Sequence, residues 1–226
     1  MAFTVELEGA GKRYFSEGAE VHALRSVSLG FRAGEFAALT GRSGCGKTTL
    51  LNLCGAMDFP SSGRVLVNGV DTRTLDDAGL TGLRRTRVGF VFQFFQLLPS
   101  LTVVENVELP LLLAGAPSPR SRAGEMLRWV EMEDYQTRYP HQLSGGQMQR
   151  AAIARALVHS PKLLLADEPI GNLDTSTGEI VLGLLERAAR EHGATVIMAT
   201  HSLESAARCD TVVRLRDGHV EEIERR

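Results

Sequence analysis

Eight consecutive residues, Gly41-Arg42-Ser43-Gly44-Cys45-Gly46-Lys47-Thr48, carry the most specific chemistry in the chain. They fit the pattern G-x-x-x-x-G-K-[ST], in which glycines let successive backbone N–H groups turn inward around phosphate oxygens. A helix that starts at the end of the loop adds positive potential. Lys47 can then reach the β- and γ-phosphates, Thr48 can ligate Mg²⁺, and Thr49 follows in the same turn. Nucleoside-triphosphate binding is the chemistry implied, and kinases, GTPases and motor ATPases all share it.

A second group narrows the reading. Leu163-Leu164-Leu165-Ala166 is an apolar run that ends in Asp167-Glu168. At a strand end Asp167 can stand beside the Mg²⁺, and Glu168 can polarise an attacking water. Two adjacent acids with two different tasks fit hydrolysis.

Leu143-Ser144-Gly145-Gly146-Gln147 leads into Met148-Gln149-Arg150 and an alanine-rich run to Val158, a good helix sequence stopped by Ser160-Pro161. Ser144, Gly145 and Gly146 are expected just before that helix, where free N–H groups make a second anion site. With this segment the chain resembles the nucleotide-binding subunit of an ATP-binding cassette (ABC) transporter. The LSGGQ signature, phosphate loop and Walker-B acids of that family occur here in family order. The resemblance implies a P-loop NTPase fold, with a RecA-like core, an N-terminal antiparallel β-subdomain and an inserted helical subdomain. It also implies ATP and Mg²⁺ as ligands and a head-to-tail dimer with a second copy or a related subunit. In such a dimer Ser144, Gly145, Gly146 and Gln147 of one chain close over the γ-phosphate held by the other.

The same resemblance assigns further residues. Tyr14 corresponds to the aromatic that stacks on adenine, although Phe15 is adjacent and either ring could serve. Gln93 corresponds to the Q-loop glutamine that contacts Mg²⁺ and the attacking water, and Asp174 to the D-loop aspartate that communicates across the dimer. His201 corresponds to the switch histidine that hydrogen-bonds the γ-phosphate. Glu168, His201 and Gln93 thus form the expected catalytic set, and Thr48, Gln93 and Asp167 the expected metal set. Arg42, Cys45 and Ile170 depart from the residues most relatives carry, and none removes a group the chemistry needs. A thiol at Cys45 beside Lys47 is expected to have some thiolate character, so that alkylation blocks ATPase activity and MgATP protects. The alternative is an inert small residue in the loop.

Gln93-Phe94-Phe95-Gln96-Leu97-Leu98-Pro99 places aromatics and leucines beside Gln93, where a partner helix could be gripped. Together with Glu105 to Gly115, this segment resembles the subgroup serving macrolide efflux, lipoprotein release and antimicrobial-peptide systems, and the likeness runs from about Val5 to Val220. It implies a separate integral membrane permease subunit, a peripheral place on the cytoplasmic face of the membrane, and export, extraction or mechanical work on a drug, peptide, lipid or lipoprotein. An ATPase driving a membrane regulator of cell-wall enzymes or signalling is the alternative. DNA-repair relatives carry a large insertion between Q-loop and signature, whereas Leu143 lies only 50 positions after Gln93.

These residues need a scaffold of strands and helices to position them. Runs such as Val27-Ser28-Leu29 and Phe36 to Leu39 read as strands of a small N-terminal sheet, the last leading into the phosphate loop. Thr48 to Cys54 reads as a helix closed by Gly55. Val65 to Val67 reads as a strand with an Asn68-Gly69 turn, and Val88 to Phe92 as another strand. Pro99 to His159 reads as a helical insertion. Leu163 to Ala166 and Thr195 to Ala199 then read as parallel strands buried on both faces. Between them Asp174 is the expected N-cap of a helix whose apolar stripe is Ile180, Leu184, Leu185 and Ala188 and whose end is Gly193. The outcome is an α/β fold with a mainly parallel sheet. The resemblance implies that this is one ABC ATPase domain over 1–226, with about 96–159 as the helical signature subdomain and about 1–95 and 160–226 as β-subdomain plus nucleotide-binding core.

Composition sets the outer bounds. The 226 residues carry 25 Lys+Arg against 27 Asp+Glu, a net charge of −2 that offers no basic footprint for nucleic acid. The longest apolar stretch, Leu109 to Pro117, contains two prolines and falls far short of the ~20 residues that span a bilayer. The N-terminus lacks the basic-then-apolar pattern of a secretory signal. Cys45, Cys54 and Cys209 are too widely spaced for a disulfide framework or a metal site.

Overall fold

The computed structural model of the protein describes residues 3–16 and 19–226. The chain opens with β1 (Phe3–Ser16), β2 (Ala19–Arg32) and β3 (Phe36–Thr40), then α1 (Lys47–Cys54), β4 (Ser62–Val67), β5 (Val70–Asp71), α2 (Asp77–Arg87) and β6 (Val88–Val91). A helical stretch follows with α3 (Val103–Leu113), α4 (Pro119–Trp129) and α5 (Gly145–Leu157). It closes with β7 (Leu163–Asp167), α6 (Thr175–His192), β8 (Thr195–Ala199), α7 (Leu203–Ala207), β9 (Thr211–Arg216) and β10 (His219–Arg225).

Two sheets result. One is antiparallel, in the order β2-β1-β4-β5, and the other has the order β10-β9-β3-β8-β7-β6 with only the β9–β10 edge pair antiparallel. Phe36 to Leu39, read from sequence as part of the small N-terminal sheet, instead lies in β3, a central strand of the parallel sheet. Its neighbours β8 and β9 lie more than 150 positions away, so no local pattern could reveal that membership. The strand expected to reach Phe92 ends at Val91.

The continuous apolar runs are explained by burial on both faces. Phe36 and Ala38 of β3, Leu164 and Ala166 of β7, and Val196 and Met198 of β8 pack into one core with α3 to α6. Their alternates Ala37, Leu39, Leu163, Leu165, Ile197 and Ala199 pack into a second core with α1 and the antiparallel sheet. Each fully buried leucine in these cores contributes about 1.5–3 kcal/mol of transfer free energy. The period of two therefore sorts neighbours to opposite cores without changing their polarity.

The helices end at the expected capping residues, but the buried face of one helix differs from the expected stripe. Gly55 caps α1, Gly193 caps α6 with φ 62, and Asp174 caps its start through a bond from the Thr177 amide. Ile180, however, is 50% exposed, because the buried stripe of α6 is centred on Val181 and Ala188 with Leu184 and Leu185 on either side. At about 100° per residue, Ile180 lies roughly a quarter turn off that centre.

Candidate functional site

The carboxyl ends of three adjacent parallel strands meet in register: Leu39 of β3 pairs with Ala199 of β8, and Ala199 with Asp167 of β7. Beyond them the chain delivers the phosphate loop from β3, Thr200 and His201 from β8, and Glu168 from β7. The Thr200 amide donates to the Leu39 carbonyl (3.0 Å) and the Glu168 amide to the Ala199 carbonyl (3.0 Å), so the sheet continues one residue into each loop. Glu168 sits at φ 46, a left-handed conformation that costs a non-glycine residue free energy and that this framework enforces.

Only glycine fits two positions of the loop. At Gly41 (φ 142) a Cβ would stand 2.3 Å from the Leu215 carbonyl, and at Gly46 (φ 107) 2.6 Å from the Ala23 carbonyl. Strand β2 therefore lies across the loop. Gly46 is the N-cap of α1, whose first turn contains no acid, so nothing on the helix competes for an anion at its N-terminus. The Lys47 ammonium is nearly buried and donates to the carbonyls of Gly41 (2.9 Å) and Arg42 (3.3 Å), which holds its charge inside the loop.

A cavity of about 500 Å³ gathers Ser43, Gly44, Gly46, Lys47, Thr48, Thr49, Gln93, Asp167, Glu168 and His201. Partial burial holds the Asp167 carboxyl above the ordinary aspartate range, against the opposing pull of the Thr48 hydroxyl and the Lys47 charge. A cation at this point would recover the lost solvation. The Thr48 hydroxyl, the Asp167 carboxylate and the Gln93 amide are hard oxygen donors that suit Mg²⁺ arriving with phosphates and water. A dedicated protein cage is absent, since among the described residues no group of three or more His, Cys, Asp or Glu could hold a metal ion. The Nδ1 atom of His201 lies 2.9 Å from Glu168 Oε2, and the ring is otherwise exposed.

Other expected residues lie around this cavity rather than in it. Gly41, Arg42 and Cys45 form the outer side of the loop, facing Arg214 to Asp217. Cys45 is 5% exposed and packs in the core with α1, which favours the inert-packing reading over the reactive thiol. Tyr14 donates its hydroxyl to Asp58 (2.8 Å), which Lys12 also binds at 2.5 Å, and it lies near Thr49 at the start of α1. Burial, then this carboxylate, raises the Tyr14 hydroxyl's pKa. Phe15 is far more exposed than Tyr14.

Ser144 caps α5, so Gly145 and Gly146 occupy its first turn rather than preceding it. The Ser144 hydroxyl accepts from the Gln147 amide (3.3 Å) and the Gln147 side chain accepts from the Ser144 amide (2.9 Å). This reciprocal cap leaves the first-turn N–H groups of Gly145 and Gly146 available to an anion. Asp174 accepts from the hydroxyls of Ser176 and Thr177 (both 2.7 Å) and from the Thr177 amide (3.0 Å), and these bonds hold its carboxyl well below the usual range. Three contributors carried no local signal in the sequence. His22 and its neighbours reach the cavity from β2, Asp58 anchors Tyr14, and Gln149 of α5 binds the carbonyls of Phe92 and Pro169.

Next to Gln93 a second cavity of about 500 Å³ opens between β6, α3 and α5, lined by Phe90, Phe92, Leu109, Pro110, Leu113 and Arg155 among others. Phe94 beside it is 68% exposed, while Phe95 is half-buried. Among the described residues no helix is long and apolar enough to cross a membrane.

The family model described as ABC transporter matches residues 24–171. The lipoprotein-releasing system ATP-binding protein LolD of Maricaulis maris is 44% identical over 96% of the chain and 96% of its own length. The macrolide export ATP-binding/permease protein MacB of Brucella melitensis is 44% identical over 96% of the chain, which spans only 34% of that larger protein. Among solved structures, the dimeric ATP-binding cassette MJ0796 of Methanocaldococcus jannaschii, in a post-hydrolysis state with ADP and Pi, superposes with a TM-score of 0.91 at 44% identity and covers 98% of both chains.

Proposed function

Because the chain belongs to the ABC transporter family, as an ATP-binding cassette, we propose that it hydrolyses ATP in the β3–β8–β7 cavity to drive a separate membrane permease. The observation that supports this most is the strand-end register of Leu39, Ala199 and Asp167, which brings Lys47, His201 and Glu168 to one cavity. Backbone N–H groups of the loop and Lys47 bind the phosphates, and Tyr14, steadied by Asp58, stacks on the base. Mg²⁺ held at Thr48 and Asp167, with Gln93 alongside, would offset charge on the leaving phosphate. Glu168 accepts the proton of the attacking water, and His201, within hydrogen-bond reach of Glu168, orients the γ-phosphate.

One chain presents two anion sites, at the starts of α1 and α5, but the cavity's lining does not include the second. A second copy or a related subunit supplies it: Ser144 to Gln147 of one chain close over the triphosphate of the other, with Asp174 near the junction. The apolar cavity beside Gln93 takes a helix of the permease, which places the chain at the cytoplasmic face of the membrane. Export, extraction or mechanical work on a drug, peptide, lipid or lipoprotein follows from the likeness to lipoprotein-release and macrolide-export systems.

The test is MgATP turnover by the wild type and Glu168→Gln. Loss of a general base should lower kcat by about 10²–10⁴-fold while ATP still binds. Equal turnover would remove Glu168 from the chemistry. Copurification with a four-span membrane protein encoded beside this gene, and loss of its stimulation of ATPase activity in Phe95→Ala, would identify the permease. Unchanged coupling in that variant would remove Phe95 from the docking surface.

A further inference from the structure

We propose that Gln149 and Arg155, both on α5, are positioning residues for hydrolysis that clamp the backbone on either side of Gln93 to the helix carrying the signature. The inference rests on the ATPase reading above. Gln149 is fully buried, and its Nε2 donates to the carbonyls of Pro169 (2.8 Å) and Phe92 (3.5 Å). Pro169 follows Glu168 and Phe92 precedes Gln93, so one amide spans the backbones that hold the two groups expected at the attacking water. Both partners are carbonyls, which only accept, so the NH₂ end must face them.

The other end of that amide is informative. Gln149 Oε1 is buried and has no hydrogen-bond partner. A desolvated acceptor without a donor costs free energy, and an apolar side chain of similar volume would avoid that cost. The chain instead carries an amide here, and its NH₂ group bridges the two loops. On the far side of Gln93, Arg155 donates to the carbonyls of Gln96 (2.5 Å) and Phe95 (3.0 Å). Phe95 (φ 58) and Gln96 (φ 52) both occupy the left-handed region, which two successive non-glycine residues leave readily unless held. Arg155 is largely buried and makes no ion pair among the described residues, so its donors serve this turn.

Gln93 therefore lies on a short span fixed to α5 at Phe92 and again at Phe95 and Gln96. The signature sits at the N-terminus of the same helix. Movement of that helix toward or away from a partner's phosphates carries the Gln93 amide with it, and Gln149 and Arg155 act through Gln93 rather than on the substrate.

A double-mutant cycle on the full chain tests this, reading steady-state MgATP hydrolysis and thermal unfolding for Gln149→Leu, Gln93→Ala and the double variant. In the wild-type background Gln149→Leu should lower kcat at least tenfold with KM within twofold, since misplacement by about 1 Å can cost about 10²-fold. In the Gln93→Ala background the same change should cost less than about twofold, because the group it positions is gone. An equal loss in both backgrounds, a parallel loss of ATP binding, or an unchanged kcat would overturn the inference. Should Gln149→Leu fail to fold, Arg155→Lys is read in the same cycle. It keeps the charge but loses the two-pronged donor, and its defect should again vanish without Gln93. A wild type without turnover, or a Glu168→Gln variant as active as wild type, would instead overturn the ATPase reading.

Discussion

Gly146→Ala should destabilise the protein although alanine is the better helix former. A Cβ at Gly146 would lie 2.0 Å from Thr177 Cγ2, where ordinary contact begins at 3.4 Å, so the Thr177 methyl must retreat by more than an ångström. It cannot simply rotate away. The Thr177 hydroxyl is bonded to Asp174 Oδ2 at 2.7 Å and its amide to Asp174 Oδ1 at 3.0 Å, which fixes residue and rotamer together. Either the Asp174 cap of α6 breaks or α5 moves off α6. Overpacking of this kind costs about 1–3 kcal/mol, and the helix-propensity gain of up to ~1 kcal/mol is reduced in a first turn. A net loss of about 1–2 kcal/mol lowers Tm by roughly 2–8 °C for a chain of this size. Thr177→Ser in the same background removes the methyl, keeps the hydroxyl, and should restore most of the loss. Differential scanning calorimetry of the wild type, the two single variants and the double variant gives the answer. A single Gly146→Ala variant at or above the wild-type Tm, or no recovery on adding Thr177→Ser, would refute the steric reasoning.

Three further outcomes follow from the site. Burial holds the Asp167 pKa above that of an unfolded aspartate, so between the two values the folded state binds more protons, and stability falls as pH rises through that window. The wild-type Tm minus that of Asp167→Asn should decline across it, and Mg²⁺ should bind less tightly on its acid side; a difference independent of pH would exclude the shift. Asp58→Ala frees the Tyr14 hydroxyl and should raise the Kd for ATP by about two- to tenfold with kcat unchanged, the scale of one hydrogen bond; an unaltered Kd would separate Tyr14 from the base. Cys45, only 5% exposed, should react with an alkylating agent far more slowly than a free thiol, and Cys45→Ser should retain ATPase activity; rapid, MgATP-protected inactivation that Cys45→Ser abolishes would restore the reactive-thiol reading.

The parts of the site that were legible in the sequence are those in which chemistry and spacing are local. The phosphate loop, the acid pair after an apolar strand and the signature each occupy fewer than about ten consecutive residues, and each needs its glycines or acids at fixed offsets. The capping roles of Asp174 and Gly193 were legible for the same reason. Long-range pairing was not. Phe36–Thr40 looks identical as a strand of either sheet, and only its pairing with β8 and β9 decides between them. Asp58 and Tyr14, 44 positions apart, and Gln149 and Pro169, 20 apart, meet because the fold brings them together. Ile180 was misplaced because one apolar residue at the margin of a stripe satisfies an i, i+4 spacing without facing the core.

We propose that this cavity binds ATP for hydrolysis and is completed by the signature of a second subunit. Light scattering of Glu168→Gln with and without ATP tests it most directly, with bound nucleotide counted in the same sample. A monomer that becomes a dimer holding two ATP on nucleotide addition is the predicted result. A Glu168→Gln chain that binds ATP yet remains monomeric, alone and with its permease, would contradict it.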